Sequence, residues 1–270
     1  MDPDGPLAAA QTQAYFEARL PHLMLKALAR VPERFDALLV DEGQDFTAEY
    51  WRCLQRLLAD RATARVYVFR DGAQDVFGGG GGGGGADGGG EAAGGEAGLL
   101  EGVPEYRLFD NCRNTRSIHA VSRALANDET EAIGPDGRPP EFIVVDEAGE
   151  PARLADVVTR LVRGEGVRPE QIAVLTAARR WLGALAPFRR IGEYPVTDDT
   201  AGVPGHVLLE TIHRFKGLER PVVVLAGLRQ PAVHVDPAKL LYVGVSRAQA
   251  HLVVLGDEGT VGKDEAGGGE

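Results

Sequence analysis

"LLVDEGQDF", residues 38–46, runs from apolar residues straight into an acidic pair. Ala37 to Val40 followed by Asp41-Glu42 is the pattern of a buried strand that delivers two carboxylates to its C-terminal edge. Carboxylates placed there suit two tasks in phosphoryl transfer. One helps hold a hydrated magnesium ion, and the other polarises the attacking water. Such a pair works beside a glycine-rich loop ending in Gly-Lys-Ser/Thr, which cradles the phosphates and lies earlier in a chain. No stretch before Leu38 spells that loop. The same acids also fit a solvated turn at a strand end, so their meaning depends on what surrounds them.

Outward from this stretch, apolar runs alternate with helical periodicity. Residues 11–30 read as helical, with Pro21 opening a second helix after a break. A strand at 36–40 follows. Thr47 has the character of an N-cap for a helix through about Ala59, which carries Trp51, Leu54, Leu57 and Leu58 at helical spacing. "ARVYVF", 64–69, predicts the next strand. The run "GGGGGGGGADGGGEAAGGEAG", Gly78 to Gly98, has no periodicity and little side chain to bury, which predicts a flexible loop. It has no lysine and no helix after it, so it does not read as a phosphate cradle.

Order is expected to resume with "EYRLF", 105–109, as a strand and Thr115 to Leu125 as a helix. "EFIVV" (141–145), "PARLADVVTRLVRG" (151–164) and "QIAVLT" (171–176) form a strand, helix, strand unit. "VLLET" (207–211) and "PVVVLAGL" (221–228) are further strands, and a helix across Ala238 to Ala248 precedes the strand "HLVVLG". Strands alternating with helices imply an α/β fold with a mainly parallel sheet covered on both faces.

The composition, 44% hydrophobic over 270 residues, suits a globular protein with a sizeable core. No apolar run is long enough to cross a bilayer, and Met1-Asp-Pro-Asp lacks the features of a signal peptide, so a cytoplasmic protein with no membrane partner is expected. Cys53 and Cys112 are the only cysteines and have no metal-ligand spacing. The formal charge of −11 argues against nucleic-acid binding over the whole surface, yet leaves room for a local basic groove. Lysine occurs only at 26, 216, 239 and 263, an arginine bias that reflects GC-rich coding.

Four further strings carry chemistry. In "FRDGAQDVF", 69–77, Gln74 follows a strand, where an amide can bond both a phosphate oxygen and a water. In "NCRNTRSIH", 111–119, Arg113 lies just before a helix, where a planar guanidinium can grip phosphate in two bonds. In "TIHRFKGLE", 211–219, Lys216-Gly217 permits close backbone approach and Glu219 can accept from ribose hydroxyls. In "LLYVGVSRAQ", 240–249, Tyr242, Val243 and Ser246 set a helical phase that points Arg247 out of the packed face, towards developing phosphoryl charge. Taken singly, each string also has a plain structural reading: a turn, a surface arginine or an amphipathic helix.

In this order the five strings resemble consecutive motifs of UvrD/Rep-like superfamily 1 DNA helicases, from the Walker B acids to the final arginine motif. The resemblance runs from about Arg34 to Gly256 and is nearest to the compact helicase-like ATPases associated with NERD domains. It implies a RecA-like P-loop NTPase fold with ATP and Mg2+ as cofactors and single-stranded DNA, or RNA, as partner. Asp41 would be the magnesium-side acid and Glu42 the catalytic base. Gln74 would sense the γ-phosphate, which Arg113 and Arg247 would contact. Gly217 and Glu219 would meet the nucleotide, and Thr211 and His213 would touch the single-strand backbone.

The chain departs from the family at its start. The Walker A lysine loop and the adenine-recognising glutamine motif belong well upstream of Asp41, where there is no room for them. "VGKDE" near Lys263 does not replace the loop, because Asp257 stands where its first glycine belongs and Asp264 where Ser/Thr belongs. Phe77 keeps an aromatic place after the glutamine motif, but polyglycine follows in place of further stacking residues. The interval from Arg113 to Thr211 is too short for the extra domain of unwinding members, which favours a compact translocase.

These readings predict an incomplete first motor domain at 1–77, a glycine-rich loop at 78–98, a second motor domain at 99–256 and a disordered tail at 257–270. The chain would be the C-terminal portion of an ATP-dependent helicase or translocase, inactive alone and completed by an N-terminal segment or chain carrying Walker A. A non-catalytic helicase-like module, used for docking or regulation, is the second reading.

Overall fold

The computed structural model describes residues 15–71, 100, 103–126, 130–229 and 235–261. Two compact units divide between Tyr106 and Arg107.

The first unit opens with a π-helical turn, Tyr15–Arg19, that runs into helix α1 (Leu20–Leu28). Pro21 stands in the first turn of α1, where a missing N–H costs no helical bond. The chain does not break before it: Arg19 keeps helical dihedrals, and only the helical winding changes. Strands β1 (Ala37–Val40) and β2 (Arg65–Val68) pair in parallel, Ala37 opposite Arg65 and Val40 opposite Val68. Helix α2 (Ala48–Leu57) connects them. Thr47 takes the extended conformation of an N-cap, but its side chain makes no capping bond.

Alternation along β1 and β2 sends one set of side chains onto α2. Val40, Trp51 and Leu58 are buried there, with Leu38, Phe46, Leu54, Val66 and Val68 packed around them. The other set faces outward: Leu39 is 70% exposed, Tyr67 56%, Phe69 55% and Phe35 54%. Apolar residues on both faces are the mark of parallel strands built to be covered twice. Gln74 and the Gly78–Gly98 run lie outside the described residues.

The second unit is built on a seven-stranded sheet of order β5-β11-β10-β6-β9-β8-β7. Its strands are β5 (Glu141–Val144), β6 (Ile172–Thr176), β7 (Arg190–Ile191), β8 (Tyr194–Thr197), β9 (Val207–Thr211), β10 (Arg220–Leu225) and β11 (Ala248–Gly256). All neighbours are parallel except β7 and β8. Every residue of β6 and β9 is buried, as central strands of a parallel sheet require.

Helix α3 (Arg116–Ala126) packs on α6 (Pro237–Val245). The helices on the opposite side are α4 (Glu150–Thr159), which continues as a π-helical turn to Gly164, and α5 (Arg180–Leu185). Leu154, Val158, Leu161, Trp181 and Leu185 from these helices join the sheet's largest apolar cluster. A small parallel pair, β3 (Asp110–Asn111) and β4 (Glu131–Ala132), stands apart. The fold is therefore α/β, with a mainly parallel sheet flanked by helices.

Two local expectations are corrected, and one element had not been foreseen. "EYRLF" is not a strand: Tyr106 and Leu108 are 84% and 82% exposed, and pairing begins only at Asp110. The cause is the partner, because β4 offers only Glu131 and Ala132 to pair with. The antiparallel β7–β8 hairpin was not expected from periodicity, since its strands are too short to display one. Its signal was the two-residue turn Gly192-Glu193, with Gly192 at φ 57°. At the C-terminal end, Glu258–Val261 form a short helix, α7, where a disordered tail was expected. Asp257 caps it by accepting from the Thr260 N–H at 2.9 Å and the Thr260 hydroxyl at 2.8 Å.

Candidate functional site

In the first unit, β1 delivers Asp41 and Glu42 at its C-terminal edge. Asp41 is exposed, and its Oδ1 accepts the Glu42 N–H at 2.9 Å. Glu42 sits in the left-handed region at φ 52°, ψ 44°, a conformation that costs a non-glycine residue roughly 1–2 kcal/mol. Its neighbours hold it there. The Asp45 N–H donates to the Glu42 carbonyl and the Gly43 N–H to the Phe69 carbonyl, both at 2.9 Å. Gly43 is required by contact, because a Cβ at that position would lie 2.6 Å from Val68 Cγ1. Gln44 donates to Glu42 Oε2 at 2.5 Å and accepts the Asp71 N–H at 3.0 Å.

In the second unit, the structure draws Arg113 and Glu219 together from 106 residues apart. Asn111 begins the arrangement with an Asx turn, its Oδ1 accepting the N–H of Arg113 at 3.1 Å and of Asn114 at 3.0 Å. Asn114 is buried and donates to the carbonyls of Ala248 at 2.6 Å and Ser246 at 3.2 Å. This clamp fixes the loop against the start of β11. Arg113 Nε then donates to Glu219 Oε2 at 2.7 Å, while Gln249 donates to Glu219 Oε1 at 2.6 Å. Gly217, at φ 79°, makes the turn that leads into Glu219.

Arg247 is placed differently from the expectation. It is fully buried, and it does not point out of the packed face. Its Nε donates to the Val243 carbonyl at 3.0 Å, its Nη2 to Ser246 Oγ at 2.9 Å and its Nη1 to the Leu218 carbonyl at 3.4 Å. The phase argument failed because α6 ends at Val245 and β11 starts at Ala248, so Arg247 no longer follows a helical phase.

Thr211 belongs to the other edge of the sheet. It is the last residue of β9 and pairs in register with Thr176, beyond the level of Leu225, whereas Glu219 precedes the first residue of β10. At 3.2–3.4 Å per residue, roughly 16–20 Å of strand separates the two edges. Thr211 is buried, and its Oγ1 accepts the Arg214 N–H at 3.3 Å; His213 beside it is exposed. The structure therefore sorts the expected residues of this unit into two groups. Arg113, Glu219 and Arg247 gather where β10 and β11 begin, and Thr211 lies where β9 ends.

The β9–β11 region decides the resemblance. Residues 206–255 match the UvrD-like helicase C-terminal domain. This helicase-like segment begins just before β9 and ends within β11, so it contains Thr211, His213, Gly217, Glu219 and Arg247. Among solved structures, the C-terminal domain of a possible DNA helicase from Lactobacillus plantarum WCFS1 aligns with 54% of this chain and 88% of its own, at 18% identity and a TM-score of 0.43. No curated protein matches the chain.

Sequence reasoning passed over several residues that shape these sites. Gln44 was quoted inside the opening stretch and given no role; its position two residues past Glu42 was the available signal. Asn114 and Gln249 lie inside quoted strings, but their partners are distant in the chain, so spacing alone carried no sign of them. Among the described residues no group of three His, Cys, Asp or Glu side chains forms a metal site.

Proposed function

We propose that this chain is the C-terminal portion of an ATP-dependent superfamily 1 DNA helicase or translocase, acting in the cytoplasm, in which ATP hydrolysis drives movement on single-stranded DNA. The observation that carries this reading is the helicase-like segment 206–255, with Arg113 joined to its Glu219. In this reading Glu42 polarises the attacking water, Gln74, Arg113 and Arg247 answer to the γ-phosphate, and Gly217 and Glu219 meet the nucleotide. Bound Mg2+ would supply charge neutralisation at the phosphates beside Asp41. Thr211 and His213, at the far edge of the sheet, take the nucleic acid.

The reading also requires an upstream Walker A segment, in the same polypeptide or in another. The outward face of β1 and β2 supports this requirement. Among the described residues, Leu39, Tyr67, Phe69 and Phe35 form an apolar face on a two-stranded parallel sheet, which is too small to stand without further strands or helices. DNA-stimulated ATP hydrolysis measured with and without a Walker A-bearing segment tests the proposal. Hydrolysis is expected only with the segment, and equal activity in both samples overturns it.

A second reading, a non-catalytic docking module, is favoured by the engagement of Arg247 with backbone carbonyls and of Arg113 with Glu219. Failure of the longest natural form to bind Mg2+-ATP would select this reading over the first.

A further inference from the structure

We infer that Gln44 is a positioning residue for Glu42, tying its carboxylate to the backbone that leaves β2; the inference rests on the proposed ATP hydrolysis. The Gln44 amide is used at both ends. Its nitrogen donates to Glu42 Oε2 at 2.5 Å and its oxygen accepts the Asp71 N–H at 3.0 Å. The surrounding backbone leaves this bridge little freedom. The Phe69 N–H donates to the Val40 carbonyl at 2.8 Å and the Gly43 N–H to the Phe69 carbonyl at 2.9 Å, so the acidic turn and the end of β2 form one bonded unit.

A carboxylate on two rotatable bonds beyond Cβ, carried by a residue at positive φ, does not hold one orientation by itself. A donor fixed to a neighbouring strand selects the rotamer. The bridge also has a direction. A shift of the 69–71 backbone would move the Gln44 amide and, through it, the Glu42 carboxylate. Orientation of a reacting group is a large lever, since a misplacement of about 1 Å can cost about 100-fold in rate.

The test uses the full-length protein, or this chain complemented by a Walker A-bearing segment, and compares wild type with Gln44→Met and Gln44→Glu. Gln44→Met keeps the shape and removes both bonds. Its kcat for DNA-stimulated ATP hydrolysis is expected to fall about 10- to 100-fold, with KM for ATP within about 2-fold of wild type. Gln44→Glu keeps the acceptor for the Asp71 N–H but sets a second carboxylate against Glu42. Its rate relative to wild type is expected to rise on acidification, as the substituted side chain gains a proton that it can donate. The Gln44→Met ratio should not change with pH.

Hydrogen exchange supplies a readout apart from activity: the Asp71 amide should exchange faster in Gln44→Met than in Gln44→Glu. A wild-type kcat in Gln44→Met, or a loss confined to KM, overturns the role of Gln44 and leaves the proposed function standing. So does a pH-independent rate ratio for Gln44→Glu. Absence of hydrolysis by the complemented wild type overturns the proposed function, and this inference with it.

Discussion

Truncating Glu150 to alanine should destabilise the second unit by about 3–5 kcal/mol, the cost of leaving one member of a buried ion pair without its partner. Glu150 is fully buried at the start of α4. Its Oε1 accepts the Gly227 N–H at 2.6 Å, and its Oε2 pairs with the guanidinium of Arg229, which is only 11% exposed. Arg229 donates to the Val145 carbonyl as well and lies 3.3 Å from Asp257. One carboxylate thus joins the end of β5, the start of α4 and the segment after β10. In Glu150→Ala the Gly227 N–H loses its acceptor, and Arg229 keeps only the half-exposed Asp257 as counter-charge.

For a unit of this size each kcal/mol moves the midpoint by about 2–4 °C, so thermal unfolding should shift down by about 6–20 °C. Thermal and urea unfolding followed by circular dichroism measure it. Removing both charges should cost less than removing one, so the double variant Glu150→Leu/Arg229→Met is expected to be more stable than Glu150→Ala. A loss below about 1 kcal/mol in Glu150→Ala, or strict additivity across the cycle, would refute the reasoning.

Two other predictions address separate places. Gly43→Ala brings a Cβ within 2.6 Å of Val68 Cγ1 and should cost about 1–3 kcal/mol, seen as faster exchange of the Gly43 and Phe69 amides that join the acidic turn to β2. Unchanged protection there would show that the turn adapts freely.

His251 supplies a pH dependence. Burial holds its imidazole below the ordinary histidine range; Arg138 and Arg160 push it further down, while Glu141 and Glu165 push the other way. Its Nε2 lies 3.3 Å from Glu141 Oε1 without hydrogen-bond geometry. The unfolded chain takes up the proton near pH 6.5 and the folded chain only below that, so stability should fall as pH drops from about 6.5 towards the folded value. His251→Gln should flatten this slope in urea midpoints; an identical slope in wild type and variant counts against it.

Much of the secondary structure could be read before any contact was known. β1, β2, β6 and β9 lie within a residue or so of their expected ranges, because parallel strands are short apolar runs with polar ends. The failures have local causes. "EYRLF" has strand composition but meets only a two-residue partner, and the β7–β8 hairpin is too short for a period to appear. Arg247 was assigned a direction by extending α6 past Val245, where the helix stops.

The sequence by itself determined the class of fold, the apolar character of both faces of β1 and β2, and the presence of two acids at the end of β1. These depend on neighbours within a few residues, and periodicity records such neighbours directly. The tertiary structure alone decided which distant groups meet. It joined Arg113 to Glu219, buried Arg247 against Leu218 and Val243, separated Thr211 from Glu219 by the length of a strand, and linked Glu42 to Asp71 through Gln44. The reason is strand order. Because β10 lies between β11 and β6, the edge at which a residue emerges sets its partners, and no local pattern encodes that order.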